Sequence, residues 1–582
     1  MATEHEIKSE KILVKDIFST KWFRIPEYQR PYIWSKDEVN DLLDDLSFAC
    51  VNKPNQEYFL GSFVYQNKKA GSEHGQEYEE NDLLDGQQRM TTLLMLFACI
   101  RDLSDNEDIE RSCRESIFQK GNKIRRIPER TRIVYAIREE VQDFVETYVI
   151  PDGGTSKTEE IEELTWSKKD PSVPNMAGAI LEMRKVLTSP EQVVDLEDFI
   201  TFLYNQVLLI YVSTEDLDDA FRLFTILNDR GVPLRNSDIL KSQNLGALEK
   251  KSDKARYAKL WEEAEGELGD DFDRFLNHIR TILVKDKARL NLLDEFEQKI
   301  YNPREKDKST GIVKPALLVK GKQTFELVEN YLDIYSTLNS GKNFDHFNGR
   351  FAFDNLVSVM MTGLPSTDWI PPLMRYFERY RYERLYEFLI NLDNKFSADW
   401  IGQLSPTKRI ENMNKLIGLI EKSACADEVI ACNLFEFDAY WFLKSVETAV
   451  YGRRFTRYLL LKLDYLFSDD SHPMTINQLS VEHILPQNPE EGSQWRADFT
   501  DDQRKEWTDK LGNLVLISMR KNTSQGRKDY SEKRKGYFQK RISSCPNSLR
   551  VLNANVRWTP VELQANHQFV IEKVRQHYKI QE

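Results

Sequence analysis

Residues 83–100 restrict the fold more than any other stretch of this chain. An apolar strand end, Leu83-Leu84, is followed at once by Asp85-Gly86-Gln87-Gln88, and from there Leu93, Leu94, Leu96, Phe97 and Ile100 recur at helical spacing. A strand that switches into an apolar helix within a few residues belongs to a layered arrangement of sheet and helix, so further strands are expected around it. Trp22 to Ile25 is extended and runs into Pro26-Glu27-Tyr28-Gln29-Arg30-Pro31. Ser35-Lys36-Asp37-Glu38 has the spacing of a capping box, which predicts a helix to about Ala49. Tyr58 to Tyr65 reads as a strand, residues 71–80 as a hairpin-like loop, and Val207 to Val212, β-branched and apolar, as a buried strand. The polar stretch 152–175 reads as a loop or insertion. Leu217, Ala220, Phe221, Phe224 and Leu227 mark a helix face ended by Asn228-Asp229-Arg230-Gly231, with Gly231 as cap and Pro233 as stop, and Ser237 resumes a helix to about Leu248. The first unit is therefore expected to be α/β and to cover residues 1–248.

The remainder follows a different pattern. Residues 249–400 carry long apolar–polar periodicity with few strand signals and are expected to be a helical connector. Residues 401–582 contain a helix-rich lead-in, a histidine segment, the strand Leu514–Ile517 and a basic stretch. Thr559-Pro560-Val561-Glu562 is a second capping box, with a proline in the first turn, and predicts a helix to about Ile580. Three units suit a length of 582 residues, because domains commonly run to about 100–200 residues. The expected class is multidomain α+β, mainly helical.

Composition excludes some functions. No stretch approaches the ~18 consecutive apolar residues of a membrane span, and the first ten residues are charged with no apolar core, so a cytoplasmic protein is expected. Six cysteines without CxxC spacing argue against a disulfide framework or a zinc knuckle. The net charge of −13 argues against nonspecific nucleic-acid binding by the whole surface. One segment breaks the trend. Arg520, Lys521, Arg527, Lys528, Lys533, Arg534, Lys535, Lys540 and Arg541 are nine basic residues set against only Asp529 and Glu532. Tyr530, Tyr537 and Phe538 are interleaved with them, which suits a solvated helix face or contact with phosphates.

The segment Val481-Glu482-His483-Ile484-Leu485-Pro486 stands just upstream of that stretch, with Asn513 thirty positions after His483 and Asn522 nine positions after Asn513. Metal-assisted phosphodiester hydrolysis needs a base for water, a cation to take up negative charge, and an acid or amide to hold the cation. Glu482 and His483 supply an acid beside a histidine. Adjacent strand residues point to opposite faces, so both reach one ion only if the strand bends. In the first unit, Asp85-Gly86-Gln87-Gln88-Arg89 opens a helix. Helix N-termini suit phosphate, and Arg89 adds a bidentate donor. From spacing alone, Asp85 and Gln88 read as a capping box. No GxxxxGK[ST] motif is present, which disfavours a P-loop nucleotidase.

Taken together, "EHILPQ", "LGNLVLI", a later Asn and "EKR" resemble the C-terminal HNH-like domain of GmrSD-type, modification-dependent restriction endonucleases. "IPEYQRPYIW", "DGQQR" and "FTILNDRGVPL" resemble their N-terminal, ParB- and sulfiredoxin-like domain. The resemblance covers roughly residues 15–250 and 400–560. It implies an α/β N-terminal domain, a helical connector and a ββα-metal-like C-terminal domain. It implies His483 as general base, Asn513 as the brace of its loop, and Asn522 and Glu482 as ligands of Mg²⁺ or Mn²⁺. It further implies that Asp85, Gly86, Gln87, Gln88 and Arg89, with Gln29 and Arg30 nearby, handle a nucleoside triphosphate, GTP or another, with hydrolysis. Asn228, Arg230 and Gly231 match the later motif of that domain and equally well a plain helix cap. Basic residues Arg520, Lys521, Arg527, Lys528, Lys533, Arg534 and Lys535 would contact DNA. One departure stands out: a second asparagine that the family often carries five residues after the Asn522 position is Arg527 here.

The implied function is a nucleotide-regulated, metal-dependent DNA endonuclease of phage defence. Double-stranded phage DNA carrying modified bases, such as glucosylated hydroxymethylcytosine, or phosphorothioate marks would be its substrate or trigger. A single HNH site cuts one strand, so double-strand cleavage would need two sites, as a homodimer supplies, or two passes. Two other readings keep most of these features: a nucleotide-switched DNA-binding protein with a degenerate nuclease fold, supported by Arg527, and an RNA-cutting toxin using the same site.

Overall fold

The computed structural model describes the chain except for residues 1–6, 27–28, 72–76, 123, 125–128, 137–138, 168–169, 190–193, 216–234, 307–310, 341–348, 470, 475, 477–478, 519–525, 539–544 and 581–582. It forms two compact units, residues 1–269 with 320–322, and residues 270–319 with 323–582. Among the described residues no helix is long and apolar enough to cross a membrane.

The first unit is built on a mixed six-stranded sheet. Its strands are β1 (Lys8–Leu13), β2 (Phe23–Ile25), β3 (Tyr58–Gly71), β4 (Glu77–Asp85), β5 (Ile133–Tyr135) and β6 (Val207–Thr214), in the order β1-β6-β3-β4-β2-β5. β6 lies inside the sheet, parallel to β3 and antiparallel to β1, and all but one of its residues are buried, as its unbroken apolar run demands. The principal helices are α1 (Val14–Thr20), α2 (Lys36–Asn52), α3 (Gln87–Leu103), α4 (Ser172–Leu187), α5 (Asn236–Gly246) and α6 (Lys251–Leu268). α3 is buried on every side from Met90 to Arg101, which makes it the core of the unit. Phe97 meets Phe18 of α1 edge to face at 5.1 Å. The Ser35–Glu38 capping box forms as its spacing predicts. The stretch 152–175 contains more structure than its polar composition suggests. A short helix, Thr158–Leu164, turns Ile161 into the core, and α4 begins at Ser172. The helix face from Leu217 to Leu227 and the Asn228–Gly231 terminator lie outside the described residues.

The second unit is mainly helical. Its relevant elements are α7 (Leu385–Ile401), α8 (Ala439–Glu447), α9 (Thr456–Leu466), the strands β7 (Leu479–His483) and β8 (Leu514–Ser518), then α10 (Tyr530–Phe538), α11 (Pro546–Ala554) and α12 (Pro560–His577). β7 and β8 form an antiparallel pair with His483 opposite Leu514 and Glu482 opposite Val515. Val515 and Ile517 pack with Ile484, Trp495, Tyr530 and Trp558 in one apolar cluster. Beneath the hairpin, Lys462 of α9 is ion-paired with Asp393 of α7, and Tyr458 Oη donates to the same carboxylate at 2.8 Å. Tyr578, just past α12, shares a hydroxyl hydrogen bond with Ser397 at 2.7 Å. This satisfied polar network ties three helices into a rigid base. The Thr559–Glu562 box forms, and its helix ends at His577.

Candidate active site

The two faces of β7 separate the two residues that the sequence places together. His483 turns toward Asp509 and Tyr451, and Glu482 turns toward Lys533 of α10. His483 Nε2 stands 3.0 Å from Asp509 Oδ1, and Gln487 Nε2 donates to the same oxygen at 3.1 Å. A carboxylate only accepts, so Nε2 carries the hydrogen and Nδ1 holds the basic lone pair. Burial lowers the His483 pKa below the usual histidine value, and the Asp509 hydrogen bond and charge oppose that shift. The imidazole is therefore neutral, and able to accept a proton, at pH 7. The His483 side chain is 11% exposed and that of Asp509 is 41% exposed, so the pair sits at a rim rather than in a core.

Asn513 fixes this pair. Its Oδ1 accepts from Leu485 N at 2.8 Å, and its Nδ2 donates to Leu485 O at 2.9 Å and to Thr508 O at 2.8 Å. One fully buried amide thus joins the chain leaving His483 to the chain entering Asp509. The tight turn Leu511–Asn513 is clamped from the other side by α12, where Asn566 donates to Gly512 O at 2.7 Å and Gly512 N donates to His567 Nδ1 at 3.2 Å. Only glycine fits there, since a Cβ on Gly512 would lie 2.5 Å from His567 Cα.

On the opposite face, Lys533 Nζ donates to Glu482 Oε1 at 2.8 Å, His483 O at 2.7 Å and Ile484 O at 3.1 Å. The two side chains are 1% and 5% exposed. Burial pushes the Glu482 carboxyl up and the Lys533 ammonium down, and each partner opposes the other's shift. Three acceptors around Nζ keep it an ammonium. Glu482 Oε1 and the two carbonyls are not open to a divalent cation in this arrangement, because Lys533 Nζ fills the space they face. Nor do any three His, Cys, Asp or Glu side chains converge on a metal-sized site among the described residues.

In the first unit, β4 turns into α3 through Gly86, whose φ of +86° places it in the left-handed region. A Cβ there would lie 2.7 Å from Phe63 Cβ, so glycine is required twice over. Gly86, not Asp85, is the helix cap, and the capping box that Asp85–Gln88 spacing suggests does not form. Gln88 reaches away instead. Its Oε1 accepts from Ile33 N at 2.8 Å and its Nε2 donates to Pro31 O at 3.1 Å. Gln87 Nε2 donates to Arg30 O at 3.0 Å, and Gln29 Nε2 donates to Leu84 O at 2.7 Å. The three glutamines lace residues 29–34 to the end of β4 and the start of α3. They leave four charged groups near one another. Arg89 donates to Ser62 O at 2.8 Å, Arg30 pairs with Asp238 of α5 at 3.2 Å, and burial pushes the Asp85 carboxyl up while Arg89 and Arg30 pull it back.

Residues 13–245 match the model of the GmrSD restriction endonuclease N-terminal domain, and residues 441–573 match that of the GmrSD restriction endonucleases' C-terminal domain. The two matches together take in more than half of the chain. The chain belongs to the GmrSD restriction endonuclease family. No curated protein matches it. Family membership makes it a restriction endonuclease that acts on DNA in phage defence.

Within this GmrSD chain the expected site residues fall into distinct groups. His483 and Asn513 are brought together, and Glu482 is turned away from them. Asn522, Arg520 and Lys521 lie outside the described residues. Of the basic stretch, Arg527, Lys528 and Lys535 are exposed, Lys533 is enclosed, and Arg534 donates to Leu552 O at 2.9 Å. Asp509, Gln487 and Tyr451 also belong to the site and carry no signal in the sequence. Asp509 is one acid among several in 498–509, and only the β7–β8 register carries it to a histidine 26 positions upstream.

Proposed function

We propose that the chain is a nucleotide-regulated endonuclease whose cutting centre is His483, oriented by Asp509 and braced by Asn513. The single observation that supports this reading is the hydrogen bond between His483 Nε2 and Asp509, which leaves the basic lone pair on Nδ1. In the proposed step a water oxygen bonds to the phosphorus of the scissile phosphodiester while Nδ1 takes a proton from that water. The bond from phosphorus to the leaving sugar oxygen breaks, that oxygen keeps the electron pair, and it acquires a proton from solvent. Dependence on Mg²⁺ or Mn²⁺ belongs to the proposal through the family resemblance and Asn522, and not through Glu482. A bound divalent ion would neutralise charge on the phosphate.

The N-terminal site is proposed to bind a nucleoside triphosphate at the Gly86–Arg89 turn, where the start of α3, Arg89 and Arg30 offer cationic and N–H donors. The proposed substrate is modified double-stranded phage DNA. A non-cutting DNA-binding switch is favoured by one feature, the engagement of Glu482 by Lys533. Cleavage of modified and unmodified phage DNA, with each nucleoside triphosphate present or absent and with or without a chelator, decides between them. The proposal expects cutting that responds to nucleotide and stops with chelation. Binding without cutting under every condition would overturn it.

A further inference from the structure

We propose that the turn 450–457 is a phosphate-docking loop that holds the DNA strand against His483, an inference that rests on the nuclease reading above. The segment Val450-Tyr451-Gly452-Arg453-Arg454-Phe455-Thr456-Arg457 carries three arginines and no acid in a chain of net charge −13. It lies outside the basic stretch that composition singles out. Its placement is fixed by the same residue that orients the histidine. Val450 N and Tyr451 N donate to Asp509 O at 2.9 and 3.1 Å, while the Asp509 carboxylate accepts from His483. Ala449 bridges Lys510 in antiparallel fashion. The Tyr451 ring meets the His483 ring edge-on with centroids 4.2 Å apart, and Tyr451 is 41% exposed.

The turn itself is stiff. Arg453 N donates to Val450 O at 3.1 Å with Gly452 at a φ of +77°, and Thr456 Oγ1 donates to Arg453 O at 2.7 Å as α9 begins. Phe455 and Thr456 are buried while Arg453, Arg454 and Arg457 are exposed. Among the described residues no carboxylate pairs with any of these three guanidiniums, although neighbouring Glu447 pairs with Arg575. Consecutive Cα atoms are about 3.8 Å apart, so Arg453 and Arg454 start within a few residues' reach of the imidazole. Unpaired, exposed arginines on a rigid turn beside a general base suit the phosphates of a nucleic-acid strand, which demand bidentate donors and supply the negative charge the loop lacks.

The test uses the full-length His483→Ala chain, expected to bind without cutting, and adds Arg453→Gln with Arg454→Gln, or Arg457→Gln. Anisotropy of a labelled duplex is followed across salt. Each phosphate contact on duplex DNA contributes about 0.9 to the slope of log affinity against log salt, or roughly eightfold in affinity near 0.1 M. The double substitution is expected to lower the slope by about 1.8 and weaken binding roughly 60-fold. In chains that retain His483 it is expected to raise KM with kcat little changed, the mark of lost uniform binding. Unchanged slope and affinity, with the parent binding DNA, would overturn the docking loop and leave the nuclease reading intact. The same losses seen with RNA but not with duplex DNA would overturn it as a DNA surface. A parent that neither binds nor cuts DNA would remove the reading on which it rests.

Discussion

Replacing Asp509 by asparagine keeps the shape of the side chain and removes the charge that holds His483. In the native site Nε2 donates across 3.0 Å to a carboxylate that is 41% exposed. Hydrogen bonds to charged groups contribute about 1.5–3 kcal/mol. Partial exposure screens this one toward the lower end, so a transition-state loss of about 1.5–2 kcal/mol follows, or roughly a ten- to thirtyfold fall in the chemical step. The pH profile gives a second reading with a definite sign. His483 works as a base only when neutral, so the rate falls as pH drops through its lowered pKa. Asp509 opposes the lowering caused by burial. Its removal therefore shifts the acidic limb further down while the plateau falls. Single-turnover nicking of supercoiled plasmid from pH 5 to 8 measures both. An unchanged plateau, or an acidic limb that moves to higher pH, would refute the pairing of Asp509 with the base.

Asn513→Ala strands the backbone groups of Leu485 and Thr508 in the interior and is expected to cost about 2–4 kcal/mol, visible as a lower Tm together with loss of nicking. Lys533→Met leaves Glu482 as an uncompensated buried acid and is expected to destabilise by about 3–5 kcal/mol at neutral pH, recovered in part by adding Glu482→Gln. Because burial raises the folded-state pKa of Glu482, the deficit of Lys533→Met shrinks as pH falls through that raised value and the carboxyl becomes neutral, which denaturant melts at two pH values would register. Gly86→Ala places a Cβ 2.7 Å from Phe63 Cβ in a left-handed backbone and is expected to lower Tm by several degrees while abolishing any nucleotide response, since the start of α3 must shift.

The parts legible in the sequence are those fixed by local rules. The two capping boxes, the strand-to-helix switch at Asp85–Gln87 and the buried strand at Val207 follow from short-range pattern, and all form. So does the helical character of 249–400. The short helix at Thr158 stayed hidden because Ile161 and Leu164 are its main apolar residues among threonine and glutamates. The role of Gln88 stayed hidden for another reason. Capping-box spacing says which partner a side chain has within its own helix, and its actual partners, Pro31 and Ile33, come from a separate loop. At the candidate site, adjacency in sequence linked Glu482 with His483, whereas strand alternation sends them to opposite faces. The cation that meets Glu482 comes from α10, 51 residues away. Asp509 reaches His483 only through the hairpin register, and no local pattern encodes that.

In the proposed step His483 removes the proton from the attacking water. The decisive measurement is the single-turnover nicking rate of the full-length His483→Ala chain at plateau pH, with duplex binding and the thermal melt measured on the same preparation. A general base supplies about 10²–10⁴ in rate, so a fall of at least about a hundredfold is expected, with binding and Tm little changed. Nicking within threefold of the unsubstituted chain would contradict it.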